Sequence, residues 1–189
     1  MAKIGLTNLW YGKLTEGVDG TPSYNGALSF GKAISCSVEV TNNEAMLYAD
    51  DTLAESDTSF NNGTMTLGVD EDSDTVFADV LGHEVDSNGA VVKTSEDIAP
   101  YVGIGRVITK MVNGVLKYKA EFIYKIKFAE PSAEDNTKGE SVEFATPEIE
   151  GTIASLSDSK GTWCTTKTFD SKADAVSFIK NILGGNASL

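Results

Sequence analysis

Residues 115–128 read Val115-Leu116-Lys117-Tyr118-Lys119-Ala120-Glu121-Phe122-Ile123-Tyr124-Lys125-Ile126-Lys127-Phe128 and alternate without a break. Leu116, Tyr118, Ala120, Phe122, Tyr124, Ile126 and Phe128 share one parity. Lys117, Lys119, Glu121, Lys125 and Lys127 share the other, with Val115 and Ile123. A period of two places successive side chains on opposite faces, so the stretch is a strand with one buried face. At ~3.3 Å per residue it spans roughly 45 Å, well beyond the usual strand of about 5–6 residues. Asn113-Gly114 stands before it and is the strongest hairpin signal in the chain, because both central positions of a type I′ turn need positive φ. A polar loop, Ala129–Gly139, follows. The segment from Glu140 to Ser155 is expected to return along the first strand, with Val142 and Phe144 on one parity and Ile149 and Ile153 on the other. The phase slips near Pro147, which predicts a bulge or bend. A hairpin over 113–155 of this length overhangs a small domain, and the partner expected for it is another copy of the chain.

Working outward, Tyr101–Val112 reads as the strand leading into that hairpin, with Val102, Ile104 and Ile108 on one face. Phe30–Thr41 is a strand with Ile34, Cys36, Val38 and Val40 aligned. Asn42-Asn43 reads as a turn, Glu44–Asp50 as a buried strand, Asp51–Asn62 as a polar turn-rich stretch and Gly63–Val69 as another strand. Residues 1–29, with Gly at 5, 12, 17, 20 and 26, read as an N-terminal arm or loop around a short strand over Asn8–Leu14. Asp70 to Asp74 lead into a helix spaced by Val76, Phe77, Val80 and Leu81, where acids suit the helix N-terminus and Gly82 the stop. Asn88-Gly89 marks a turn between short strands near Glu84 and Val91. Thr162–Phe169 is a strand. A C-terminal helix over 171–184 is capped by Asp170 or Ser171 and carries the stripe Ala175, Phe178, Ile179, Ile182 and Leu183. Seven to nine strands and one or two short flanking helices predict a mainly β protein, an antiparallel sandwich or barrel in a single domain over 1–189.

The chain has 189 residues, 41% of them apolar, and a net charge of −13. The charge is uneven: residues 39–100 hold 15 acids against Lys93, while residues 101–128 hold six bases against Glu121. An acidic half and a basic hairpin are suited to meet between subunits. The overall sign disfavours direct nucleic-acid binding. No apolar run approaches the ~20 residues that span a bilayer. The first six residues lack the apolar core of a signal peptide, so production in the cytoplasm is expected.

No stretch reads as catalytic or cofactor-binding. Cys36 and Cys164 lack metal-ligand spacing and read as buried thiols. Asp70, Asp72 and Asp74 match the first ligands of an EF-hand loop, but Thr75 stands where Gly is needed and Leu81 where the bidentate Glu belongs. His83 falls in the last turn of the first helix, where a cation suits the dipole. Gly103-Ile104-Gly105 lies within a strand and lacks the third glycine of a nucleotide fingerprint, so close approach of another backbone is the expected reason for it.

Several stretches resemble the major tail proteins of long, non-contractile-tailed phages of Gram-positive bacteria. They are Met1-Ala2-Lys3-Ile4-Gly5-Leu6, Leu47-Tyr48-Ala49-Asp50-Asp51, Phe77-Ala78-Asp79-Val80-Leu81-Gly82, Tyr101-Val102-Gly103-Ile104-Gly105, and Thr168-Phe169-Asp170-Ser171 with Ala175-Val176. The resemblance implies a tail-tube β-sandwich or barrel, subunits in hexameric rings, rings stacked into a tube that passes DNA and a tape-measure protein, and a tail-terminator protein as a further partner. It implies a virion protein assembled in the host cytoplasm, with no cofactor, no metal and no enzymatic activity. By position, the long hairpin would supply the lumen sheet and subunit seam through Lys117, Lys119, Lys125, Lys127, Glu143, Glu148 and Glu150. The loop residues Glu130, Pro131, Glu134, Asp135 and Lys138 would reach the next ring, and the N-terminal arm or Asp50–Asn62 would add contacts. Because lumens of that family tend to be acidic, either the lysines pair with Glu143, Glu148 and Glu150 across the hairpin or their face is not the lumen. The alternative reading is a β-sandwich binding host-surface glycans through Trp10, Trp163 and tyrosines.

Overall fold

The computed structural model describes residues 2–49, 52–70, 73–132 and 146–184. In chain order its elements are β1 (Ala2–Glu16), β2 (Pro22–Tyr24), β3 (Leu28–Gly31), β4 (Ala33–Ala49), β5 (Thr52–Val69), α1 (Asp74–Leu81), β6 (Glu84–Val85), β7 (Val91–Val92), β8 (Tyr101–Val112), β9 (Val115–Phe128), β10 (Glu148–Ile153), β11 (Cys164–Phe169) and α2 (Lys172–Leu183). The protein is mainly β and antiparallel, with two short helices, as the alternation predicts. Nine strands form one sheet in the order β2-β1-β8-β9-β10-β5-β4, with β3 also on β1 and β11 also on β9; β6 and β7 form a separate small hairpin.

Strand β9 is the centre of the sheet. Asn113 (φ 50°) and Gly114 (φ 80°) make the expected tight turn, and Val112 pairs with Val115. The partner on that side is therefore β8. On its other side β9 pairs first with β11, from Tyr118↔Phe169 to Ile123↔Cys164, and then with β10 through only Ile126, Lys127 and Phe128. The hairpin expected over 113–155 is thus not one hairpin. Its return strand is the six-residue β10, all of which runs along β5 and half of which also pairs with β9, and residues 133–145 lie outside the described residues.

The unbroken alternation of β9 also conceals a bulge. Ile104 pairs with Ile123 but Val102 pairs with Ile126, so Gly103 faces two residues, Tyr124 and Lys125. One extra residue exchanges the faces of everything beyond it. Ala120, Phe122 and Tyr124 accordingly pack under α2 with Val107, Ile179, Ile182 and Leu183. Ile123, Ile126 and Phe128 enter a second core on the opposite face. That core draws on β1 (Leu9, Tyr11), β3 (Phe30), β5 (Met65, Leu67, Val69), β8, β10 (Ile149, Ile153) and α1 (Phe77, Val80, Leu81), so the sheet curls around it and α1 plugs it. Phe30 touches the rings of Tyr11, Phe77 and Phe128 at 5.5, 6.3 and 5.7 Å between centroids. The two helices end and begin as expected. Gly82 takes the left-handed conformation (φ 81°) and donates to the Ala78 carbonyl, and the Ser171 hydroxyl accepts from the Ala173 N–H.

Residues 1–29, expected as an arm or loop, are mostly sheet: β1 pairs with β8 from Ala2 to Lys13. The glycines at 103 and 105 make room for side chains, not for another backbone. A Cβ on Gly103 would lie 2.5 Å from the Tyr24 ring, and one on Gly105 would lie 2.2 Å from Ile179 of α2. Gly12 pairs with Gly103, and Trp10 with Gly105, so glycines form a smooth strip on which Tyr24 and α2 rest.

Candidate functional site

The largest departure from expectation is the ribbon β4–β5. Asn42-Asn43 is no turn: β4 continues through it, and Asn42 pairs with Phe60 and Asn43 with Ser59. Pairing persists to Ala49↔Thr52. Strand β10 supports β5 only from Gly63 to Gly68. Beyond Gly63, residues 41–49 and 52–62 pair only with each other among the described residues, and Thr41 to Met46 are exposed. Nine residues at ~3.3 Å carry this overhang roughly 30 Å past the sheet. A two-stranded ribbon alone is marginally stable in water at best. Its root is pinned where Phe60 stacks flat on Trp163, with centroids 4.8 Å apart and planes 4° from parallel.

The other edge of β4 is the end of the main sheet and carries no partner strand among the described residues. Residues 33–49 contain no proline, lysine or arginine, the residues that usually discourage edge pairing. Residues 33–69 hold six acids and no base. The part of this ribbon nearest the sheet faces β1 across a cleft of about 420 Å³ bordered by Lys3, Leu6, Ile34, Cys36 and Arg106. Arg106 lies at its floor, 8% exposed, with its Nε donating to Glu121 at 2.9 Å and its Nη1 to the Cys36 sulfur. Burial pushes the Glu121 carboxyl up, but the Lys119 hydrogen bond and the Arg106 guanidinium outweigh it and hold it below the usual range. Burial likewise raises the Cys36 thiol, and raises Cys164 to about 11, so both are protonated near neutrality and behave as packing groups. A second cleft, about 550 Å³, runs along the β1 bulge at Thr7–Trp10, where Asn8 takes a φ of 56°.

The hairpin lysines do not pair with Glu148 or Glu150. Lys117 reaches Asp170, Lys119 bonds Glu121 at 2.7 Å, Lys125 bonds Glu16 at 2.5 Å, and Lys127 lies 5.6 Å from the Tyr101 ring centre. Glu148 and Glu150 sit opposite Gly68 and Thr66 of β5, exposed and away from those lysines; Glu143 lies outside the described residues. The reason is topological: β11, which has no acid, takes the place beside β9 that a returning hairpin strand would have filled.

Of the loop residues, Glu134, Asp135 and Lys138 lie outside the described residues, and Pro131 is half-buried. Glu130 is tied down. His83 bridges two carboxylates, Nδ1 to Asp97 at 2.5 Å and Nε2 to Glu130 at 2.9 Å, and Lys93 also reaches Glu130. The hydrogen bond to Asp97 raises the imidazole above its ordinary range; its burial opposes this and Glu130 reinforces it. Asp97, held by Thr94 and His83, is lowered to about 2. His83 is therefore more than a cation near a helix end: it clasps the loop after α1 to the end of β9. Sequence spacing gave no sign of this, because its partners are 14 and 47 residues away.

Trp163 is engaged with Phe60, and Trp10 lies under the Lys180 ammonium at 4.0 Å, so the indoles considered for sugar stacking already have partners. Among the described residues no group of three or more His, Cys, Asp or Glu side chains is placed to hold a metal ion, and no helix is long and apolar enough to cross a membrane. No protein-family model matches the chain, and no curated protein matches it.

Proposed function

We propose that this chain is a structural subunit that assembles with copies of itself, and that the assembly is the stacked-ring tail tube of a long-tailed phage, the conduit for DNA ejection. The observation that carries the reading is the overhanging β4–β5 ribbon. It is a long element that is marginally stable alone, and among the described residues of its overhang only Phe60, at the root, packs against either core. The unpaired edge of β4 supports the same reading, since edge-to-edge pairing in a head-to-tail sense closes rings. On this view β4 and β5 would supply the seam and lumen that the sequence alone suggested for 113–155. Their uniform acidity suits a channel through which DNA slides without sticking. Tape-measure and tail-terminator proteins would be the further partners, and the virion the place of residence.

The test trims the ribbon. Replacing residues 43–59 with an Asn-Gly turn, which keeps the Phe60–Trp163 stack, is expected to leave the thermal unfolding of the domain nearly unchanged and to abolish rings and tubes seen by negative-stain microscopy of the intact chain. An intact chain that stays monomeric at high concentration would overturn the reading.

A further inference from the structure

Three lysines stand side by side across three strands. The register sets Lys3 of β1 opposite Lys110 of β8, and Lys110 opposite Lys117 of β9. Residues directly opposite share a face, and like charges so placed are destabilising. Lys117 is offset by Asp170, but neither Lys3 nor Lys110 makes an ion pair among the described residues. A row of cations of which two make no ion pair among the described residues is unexpected in a chain of net charge −13. It stands at the end of the sheet where Val115, on the same face, is 56% exposed, beside the cleft that Lys3 and Arg106 border. Basic charge beside an open cleft fits an acidic segment. The ribbon is such a segment: Glu39, Glu44 and Glu55 are exposed on it and make no ion pair among the described residues.

We propose that the Lys3–Lys110–Lys117 row is the acceptor for the acidic β4–β5 ribbon of a second copy. The proposal rests on the self-assembly reading and names the surfaces that meet. Donor and acceptor are different patches, so each copy that gives its ribbon still offers a lysine row to the next. A contact of that kind propagates, closing into a ring or growing into a filament. Repulsion within the row is relieved when the acids arrive, so the row costs the lone subunit stability and returns it on assembly.

The experiment compares the intact chain with Lys110→Gln, with Lys3→Glu/Lys110→Glu, with Glu44→Lys/Glu55→Lys, and with the chain carrying all four reversals, by sedimentation at low and high salt. Lys110→Gln is expected to raise the thermal midpoint of the subunit while weakening association about tenfold. Each double reversal is expected to weaken it further, and the four-fold swap to restore it to within a few-fold of the original. Opposite signs for stability and assembly, together with rescue by the swap, are outcomes that a merely structural lysine does not produce. If the intact chain associates and the lysine variants associate equally well, or the swap fails to rescue, this proposal falls and self-assembly stands. If the intact chain does not associate at all, both fall. If the lysine variants lose binding to a 20-base-pair DNA duplex with association unchanged, the row serves nucleic acid and the ribbon is not its partner.

Discussion

Among single residues, His83 carries the clearest solution signature. It is the only histidine in the chain, and its imidazole, 8% exposed, sits between Asp97 and Glu130 with Lys93 alongside. A group whose folded value is raised contributes stability that is fully present below its unfolded value near 6.5 and is lost as pH rises through the folded value. Asp97 works in the opposite sense. Its lowered carboxyl contributes stability above its unfolded value near 4 that is lost as pH falls toward about 2. The clasp is therefore strongest between about pH 4 and 6.5. Urea midpoints measured across pH are expected to decline above 6.5 in the natural chain. In His83→Gln that decline should be absent; an equal decline in both would remove the clasp from consideration.

Among elements, the seat of α2 on the glycine strip is the sharpest packing constraint. A Cβ at Gly105 would meet Ile179 at 2.2 Å, so Gly105→Val overfills the contact between β8 and α2. The expected loss is about 1–3 kcal/mol by urea unfolding, the usual cost of overpacking; no loss would mean that α2 is not seated there. At this scale the sequence is informative where one face is apolar. It shows β8, β9, the Asn113-Gly114 turn and both helices. It hides the bulge at Tyr124-Lys125, because a bulge there leaves the alternation of apolar and charged residues intact while exchanging the faces. It shows pieces of β4 and β5 but hides that each is one continuous strand: Asn42-Asn43 has the composition of a turn, and the polar stretch 52–62 has no hydrophobic period to read. The pairing of β9 from Tyr118 to Ile123 with β11, leaving β10 only its last three residues, is a non-local choice that no local pattern encodes.

At the scale of the whole molecule, the protein has two packed cores and a periphery that would be completed only if copies assemble as proposed. The overhang beyond Phe60 and the lysine row lie apart from both cores, and Lys3, Lys110, Glu44 and Glu55 make no ion pair among the described residues. The junction between the cores and the overhang is the flat stack of Trp163 on Phe60. Since the only other tryptophan, Trp10, is held beneath Lys180, the chain contains a built-in optical reporter at the hinge of its longest appendage. If copies assemble as proposed, the remaining emission in a Trp10→Phe chain should change in colour and lifetime as the appendage meets a neighbour. Polymerisation could then be timed in real time, without a dye, and a signal that stays constant while the particles grow would mean that the hinge does not move.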